Sequence, residues 1–126
     1  MLPRVLGEES RLNQPPIGGI ERRNGAVVIH LVGELDLYSA PEVRANLLGL
    51  CAEQPERLVV DLAEVDFVDS TALGVLIEAR TKLENRRSFL LAAPRLETHR
   101  ALMISGLDQH LPVHETVEDA LAASLS

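Results

Sequence analysis

Residues 66–76 read Asp66-Phe67-Val68-Asp69-Ser70-Thr71-Ala72-Leu73-Gly74-Val75-Leu76. Val65 to Val68 is a short apolar segment. Asp69 and Ser70 follow it, and their short side-chain oxygens can accept hydrogen bonds from the orphan N–H groups at a helix start. Ala72, Val75, Leu76, Ala79 and Leu83 then recur at i, i+3, i+4, i+7 and i+11, the stripe of an amphipathic helix. Arg86 and Arg87 lie beyond it, where a helix dipole favours cations. The stretch is an extended segment turning into a helix at Asp69-Ser70.

The same alternation extends in both directions. Upstream, Ala26 to Val32 is a continuous apolar, β-branched run, which suits a strand covered on both faces. Asn24-Gly25 before it is a favoured hairpin pair, so residues 17–23 are expected to form an edge strand. Gly33-Glu34-Leu35-Asp36 ends the buried run. Ser39 is placed as an N-cap and Pro41 in the first turn of a helix over about 40–53, with Ala40, Val43, Leu47 and Leu50 on its apolar stripe. Gln54-Pro55 breaks that helix, and Arg57 to Leu62 is a second buried strand. Downstream, Ser88 to Ala92 reads as a strand and 96–105 as a helix ended by Gly106. Leu111 to Val113 reads as a short strand. Thr116 with Asp119 resembles a capping box for a last helix reaching about 124. The order β-β-α-β-α-β-α-β-α predicts an α/β fold: a mixed, mostly parallel sheet of four to five strands with about four helices. Residues 1–16 show no periodicity and are expected to be a flexible, dispensable tail on a single domain over 17–124.

The chain has 126 residues and a formal net charge of −7, against which a nucleic-acid phosphate tracker or a binder of anionic membranes is not expected. No segment approaches the roughly 20 apolar residues of a spanning helix, and no signal peptide is read at the N-terminus. Cys51 is the single cysteine, so neither an internal disulfide nor a cysteine-based zinc site is available. These features predict a cytoplasmic protein. Phe67, Phe89 and Tyr38 are the only aromatics, so the core must be aliphatic.

Three motifs in order carry a family resemblance: Gly33-Glu34-Leu35-Asp36, Asp69-Ser70-Thr71-Ala72-Leu73-Gly74, and Ser105-Gly106-Leu107. Over about residues 17–124 the chain resembles the STAS domains of bacterial anti-anti-sigma factors (anti-sigma factor antagonists). The resemblance implies the STAS fold. It also implies an unphosphorylated form that binds an anti-sigma factor, a serine kinase of the GHKL type, and so releases a sigma factor for transcription. In such proteins the kinase phosphorylates the serine after the Asp, here Ser70, and a serine phosphatase reverses the step. The usual Ser-Gly after that serine is Thr71-Ala72 here, which keeps a hydroxyl but loses glycine's backbone freedom.

Elementary electrostatics agrees. A phosphoryl group at a helix start meets the positive end of the dipole, so the fold should tolerate it, while about two negative charges would enter a binding surface beside Asp69 and Asp36. The expected partner surface comprises the Gly33–Ser39 turn and the first turns of the helix beginning at Ser70, with Glu34, Leu35, Asp36, Ser39, Asp69, Thr71, Leu73 and Gly74 as its contact residues. Ser39 and Thr71 are lesser candidate acceptors. On pattern alone Ser70 is equally a plain cap, Asp69 an alternative cap, and Asp36 either a helix-start acid or a residue that orients the acceptor. The chain is read as a binding module, not an enzyme, with no cofactor or metal.

Two other readings remain on the sequence. One is a STAS subunit of a membrane transporter, a lipid-transfer complex or a stress-signalling scaffold. The other, more remote, is a magnesium-dependent phosphotransfer domain using Asp36, Asp61, Asp66 and Asp69. A receiver domain needs a lysine at a later strand end, and the only lysine, Lys82, falls in a predicted helix. His30, His99, His110 and His114 lack metal-ligand spacing. His30 is read as a satisfied, partly buried residue and Cys51 as a small buried hydrophobe.

Overall fold

The computed structural model describes residues 15–125. Within them run β1 (Ile17–Arg23), β2 (Ala26–Leu35), α1 (Ala40–Ala52), β3 (Arg57–Val68), α2 (Ser70–Arg80), β4 (Phe89–Ala92), α3 (Leu96–Ser105), β5 (Val113–His114) and α4 (Val117–Ala122). The sheet order is β1-β2-β3-β4-β5, with β1 antiparallel to β2 and the other pairs parallel. The β1–β2 hairpin turns on Asn24 and Gly25 at φ 48° and 88°, the two positive values a type I′ turn requires.

Alternation along the strands sorts the apolar residues onto two faces. Val27, Ile29 and Leu31 of β2 and Leu58, Val60 and Leu62 of β3 pack against Val43 and Leu47 of α1, Leu76 and Ala79 of α2, and Leu102 of α3. Each fully buried aliphatic side chain of this kind contributes about 1.5–3 kcal/mol. The opposite face is thinner: Val28, Val59, Leu90 and Ala92 are covered by Ala120 of α4, with Val117 and Leu121 alongside. Cys51 lies in the main core with its Sγ donating to the Ala79 carbonyl at 3.3 Å, and burial pushes its thiol up to about 11.

The expected elements are present, and their edges differ for local reasons. The segments Arg57–Leu62 and Val65–Val68 are one strand. Its pairing with β2 slips between His30 and Val32 and again between Gly33 and Glu34, each time placing an extra residue on β3. Helix α2 stops at Arg80 rather than near Leu83, because Gln54 captures the chain beyond it. The Gln54 side chain donates to the Lys82 carbonyl and accepts from the Glu84 N–H, both at 2.9 Å. β5 covers Val113–His114, since Leu111 is in the core with its N–H on the Leu107 carbonyl. Thr116 caps α4 as expected, its hydroxyl accepting from the Asp119 N–H at 3.0 Å. Of the sixteen-residue tail, residues 1–14 lie outside the described residues. Pro16 is buried, and its carbonyl accepts from the Val32 N–H at 2.8 Å, so ordered pairing begins one residue before the expected boundary.

On the thinner face His30 is a link between strands. Its Nδ1 lies 2.5 Å from Asp61 of β3 and its Nε2 lies 2.7 Å from Glu21 of β1. Glu21 also binds Arg23, which reaches Glu118 of α4 at 3.0 Å. Both imidazole nitrogens are committed to carboxylates, so His30 has no free nitrogen for acid–base chemistry. Burial pulls the imidazole pKa down, but the bonds to Asp61 and Glu21 outweigh it and hold the pKa above the ordinary value of 6.5. Since the folded pKa exceeds the unfolded one, the charged link stabilises the fold fully below pH 6.5 and is lost as pH rises through the raised value. Thermal melts should therefore show wild type a few degrees above His30→Gln at pH 6, with the gap closing by pH 9. A gap that does not change with pH would remove the charged link from this account.

Candidate functional site

The C-terminal ends of β2 and β3 lie side by side, Leu35 opposite Val68. The two chains then leave through the turn 36–39 into α1 and directly through Asp69 into α2. Asp69 joins these exits. Its backbone is extended, as a cap requires, and Oδ1 accepts from the Ala72 N–H at 3.0 Å. Oδ2 accepts from the Leu37 N–H at 3.2 Å, and the Asp69 N–H donates to the Leu35 carbonyl at 3.0 Å. The cap of α2 is thus Asp69, and Ser70 is the first helical residue. Ser70 is exposed, and its hydroxyl makes no hydrogen bond to any of the described residues.

The turn before α1 is equally determined. Asp36 Oδ1 accepts from the N–H groups of Tyr38 and Ser39 at 2.9 and 3.0 Å. The Ser39 hydroxyl accepts from the Asp36 N–H at 2.9 Å and donates to the Glu34 carbonyl at 2.9 Å. The Ala40 N–H reaches the Asp36 carbonyl at 2.8 Å. Ser39 occupies the cap position of α1, but its backbone is helical and its hydroxyl caps nothing in α1. The hydroxyl instead fastens the turn to the end of β2. Asp36 does the same from within the turn, which accounts for an acid at this helix start.

The residues expected on the partner surface separate by burial. Glu34, Thr71 and Gly74 are exposed, and Asp36, Ser39, Asp69 and Leu73 are half-buried. Leu35 is 1% exposed and packs in the core, so its contribution is to hold the site from beneath. Leu73 also packs against that core. Leu37 and Tyr38, inside the 33–39 turn expected on the partner surface, are 62% and 86% exposed, and Phe67, which lay outside the expected surface, is 50% exposed. For Phe67 the sequence signal was hydrophobicity itself, which reads as burial unless the β3 bulge is known.

The four aspartates considered for magnesium are engaged separately. Asp61 binds His30 and the Ala63 N–H, Asp66 binds Arg95 at 2.5 Å, and Asp36 and Asp69 serve their turns. Among the described residues no three His, Cys, Asp or Glu side chains are grouped to hold a metal ion.

The model of the STAS domain matches residues 19–120. The chain belongs to the STAS domain family. It is 32% identical over 98 residues to the anti-sigma-F factor antagonist RsfB of Mycobacterium tuberculosis, which covers 78% of this chain and 80% of that protein. The crystal structure of an anti-sigma factor antagonist from Mycobacterium paratuberculosis superposes with a TM-score of 0.77 at 32% identity, covering 82% and 88% of the two chains. The Bacillus cell-fate determinant SpoIIAA in its phosphorylated form shares the fold at 24% identity and a TM-score of 0.62, covering 82% of this chain and 95% of that one. The five-stranded mixed sheet with four helices is the STAS architecture.

Two substitutions test the local assignments. Asp69→Ala removes the α2 cap and the Leu37 anchor together, and chemical denaturation should show a loss of about 1–2 kcal/mol. Ser70→Ala should stay within about 0.5 kcal/mol of wild type, because Ser70 is not the cap. At Gly74 an added Cβ would meet nothing within 4 Å, and the residue lies inside α2. Gly74→Ala should therefore stabilise the fold by up to about 1 kcal/mol in the same measurement.

Proposed function

We propose that this domain is an anti-sigma factor antagonist. In its unphosphorylated form it binds an anti-sigma factor kinase of the GHKL type, and it is switched off by phosphorylation of Ser70. The supporting observation is the division of labour at the start of α2. Asp69 does the capping, leaving the Ser70 hydroxyl exposed and unbonded among the described residues. The side chain that carries structure and the side chain available for modification are adjacent and distinct. The names of the relatives that share about a third of its residues point the same way.

The chemistry of the switch follows from position. A phosphoserine at the first residue of α2 lies at the positive end of the helix dipole, so the domain accommodates it. The added charge, about −1.5 to −2, sits next to Asp69 and across the Leu37 hydrogen bond from the Asp36 turn. A partner docked there must desolvate phosphate beside two carboxylates, and binding is lost without refolding of the domain. Thr71 is exposed at the next position and is the secondary acceptor, whereas the Ser39 hydroxyl is held within its turn. A serine phosphatase restores binding. The domain itself acts by association in the cytoplasm, with no catalysis, cofactor or nucleic-acid contact of its own. None of its described helices is long and apolar enough to cross a membrane.

Incubation with the host's anti-sigma factor kinase and ATP, followed by intact mass and peptide mapping, should add one phosphate at Ser70 and none to Ser70→Ala. In calorimetric titration Ser70→Ala should bind the kinase like wild type, and Ser70→Asp at least tenfold more weakly, a change of about 1.4 kcal/mol or more. Phosphate on Thr71 or Ser39 instead, with Ser70→Asp binding normally, would remove the assignment of Ser70. Binding of a membrane permease in place of a kinase would favour the transporter-subunit reading of the same fold.

A further inference from the structure

Leu37, Tyr38 and Phe67 are exposed at the same end of the sheet, although only three aromatic residues exist in the chain and the third, Phe89, is fully buried. Phe67 is opposite Glu34 in the β2–β3 register, and Leu37 is bonded to Asp69 at the end of the same strand. Their exposure is built into the backbone. The second bulge of β3 makes Val65 and Val68 both core residues, three positions apart, and turns Asp66 and Phe67 outward. In the turn, the five consecutive N–H groups from Asp36 to Ala40 are all hydrogen-bonded within the site. A segment this determined does not rearrange to hide two large apolar side chains. Exposed apolar groups on a rigid support are the usual composition of a binding hot spot, because little ordering entropy remains to be lost on docking.

The surroundings select the partner. Glu34 lies at the end of β2, Asp36 in the turn that follows it, Glu64 and Asp66 near the end of β3, and Asp69 just past it. Arg95, the cation bonded to this end of β3, is already spent on Asp66 and on Glu64 at 3.5 Å. We infer that Leu37, Tyr38 and Phe67 are the apolar anchors of the partner surface, and that they enter an apolar groove bordered by basic side chains on the anti-sigma factor. This inference rests on the reading of the domain as an anti-sigma factor antagonist, and it adds the residues that supply affinity and the chemistry of the complementary face. A net charge of −7 favours a basic partner face and disfavours a second copy of this chain as the occupant.

The test is calorimetric titration and stopped-flow association with the host's purified anti-sigma factor kinases, nucleotide present, using wild type, Tyr38→Ala, Tyr38→Phe, Leu37→Ala, Phe67→Ser and Glu34→Gln. All four positions are exposed, so melting temperatures should match wild type. Tyr38→Ala and Leu37→Ala should each bind at least tenfold more weakly, and Phe67→Ser several-fold more weakly. Tyr38→Phe should remain near wild type. Glu34→Gln should slow association and reduce its salt dependence. If wild type binds and the three truncations stay within twofold of it, the anchors are elsewhere and the inference fails while the antagonist reading stands. If no kinase binds wild type, that reading fails and takes the inference with it. A wild-type dimer in sedimentation that Tyr38→Ala dissolves would assign the patch to a second copy and overturn the inference.

Discussion

The carboxylate of Asp69 connects two parts of the chain that the fold brings together only at their ends. One oxygen caps α2 and the other holds the Leu37 N–H, while the Asp69 backbone closes onto Leu35. A charged acceptor makes such bonds stronger than neutral ones, and both lie at a half-buried position. Through this residue the helix that carries Ser70 and the turn that carries Leu37 and Tyr38 share one rigid frame. The parallel pairing of β2 and β3 is what makes the connection possible, because it delivers both exits to the same edge of the sheet.

The same frame separates side chains that support the fold from side chains presented at the surface. Groups that hold the fold together at this end, namely Leu35, Asp36, Ser39 and Asp69, have their side chains committed inward or within the turn. Groups free to meet another molecule, namely Glu34, Leu37, Tyr38, Phe67, Ser70 and Thr71, are exposed. Modification of an exposed hydroxyl at a helix start then changes charge at the surface without removing a structural bond. A two-state conformational change is not needed for such a switch, and the two helices flanking the site are braced against one, with Arg44 of α1 gripping Glu78 of α2 through two bonds of 2.7 Å.

Most of the architecture was legible because its signals are local and redundant. The Asn24-Gly25 turn, the apolar stripe of α2, Gly106 at φ 78° and the Thr116 cap each appear where the sequence places them. What escaped depends on contacts distant in sequence. Gln54 ends α2 from across the fold, about thirty residues away, and nothing near Arg80 announces it. Bulges in β3 arise from the mismatch with β2 and break the alternation that would have shown Phe67 as a surface residue. Ser39 had a cap's identity and position, yet the Glu34 carbonyl and Asp36 N–H took its hydroxyl. At the site, the residue types were readable and the division between supporting and presented side chains was not, because that division is set by burial.

The central claim is that phosphate on Ser70 blocks the partner by charge at an unchanged surface. The direct measurement compares wild type with the same chain phosphorylated at Ser70 alone, recording amide spectra of both and their affinities for the anti-sigma factor. The account predicts amide shifts confined to residues 34–39 and the first turn of α2, together with a loss of affinity of at least tenfold. Unchanged affinity, or shifts spread through the core strands β2 to β4, would contradict it.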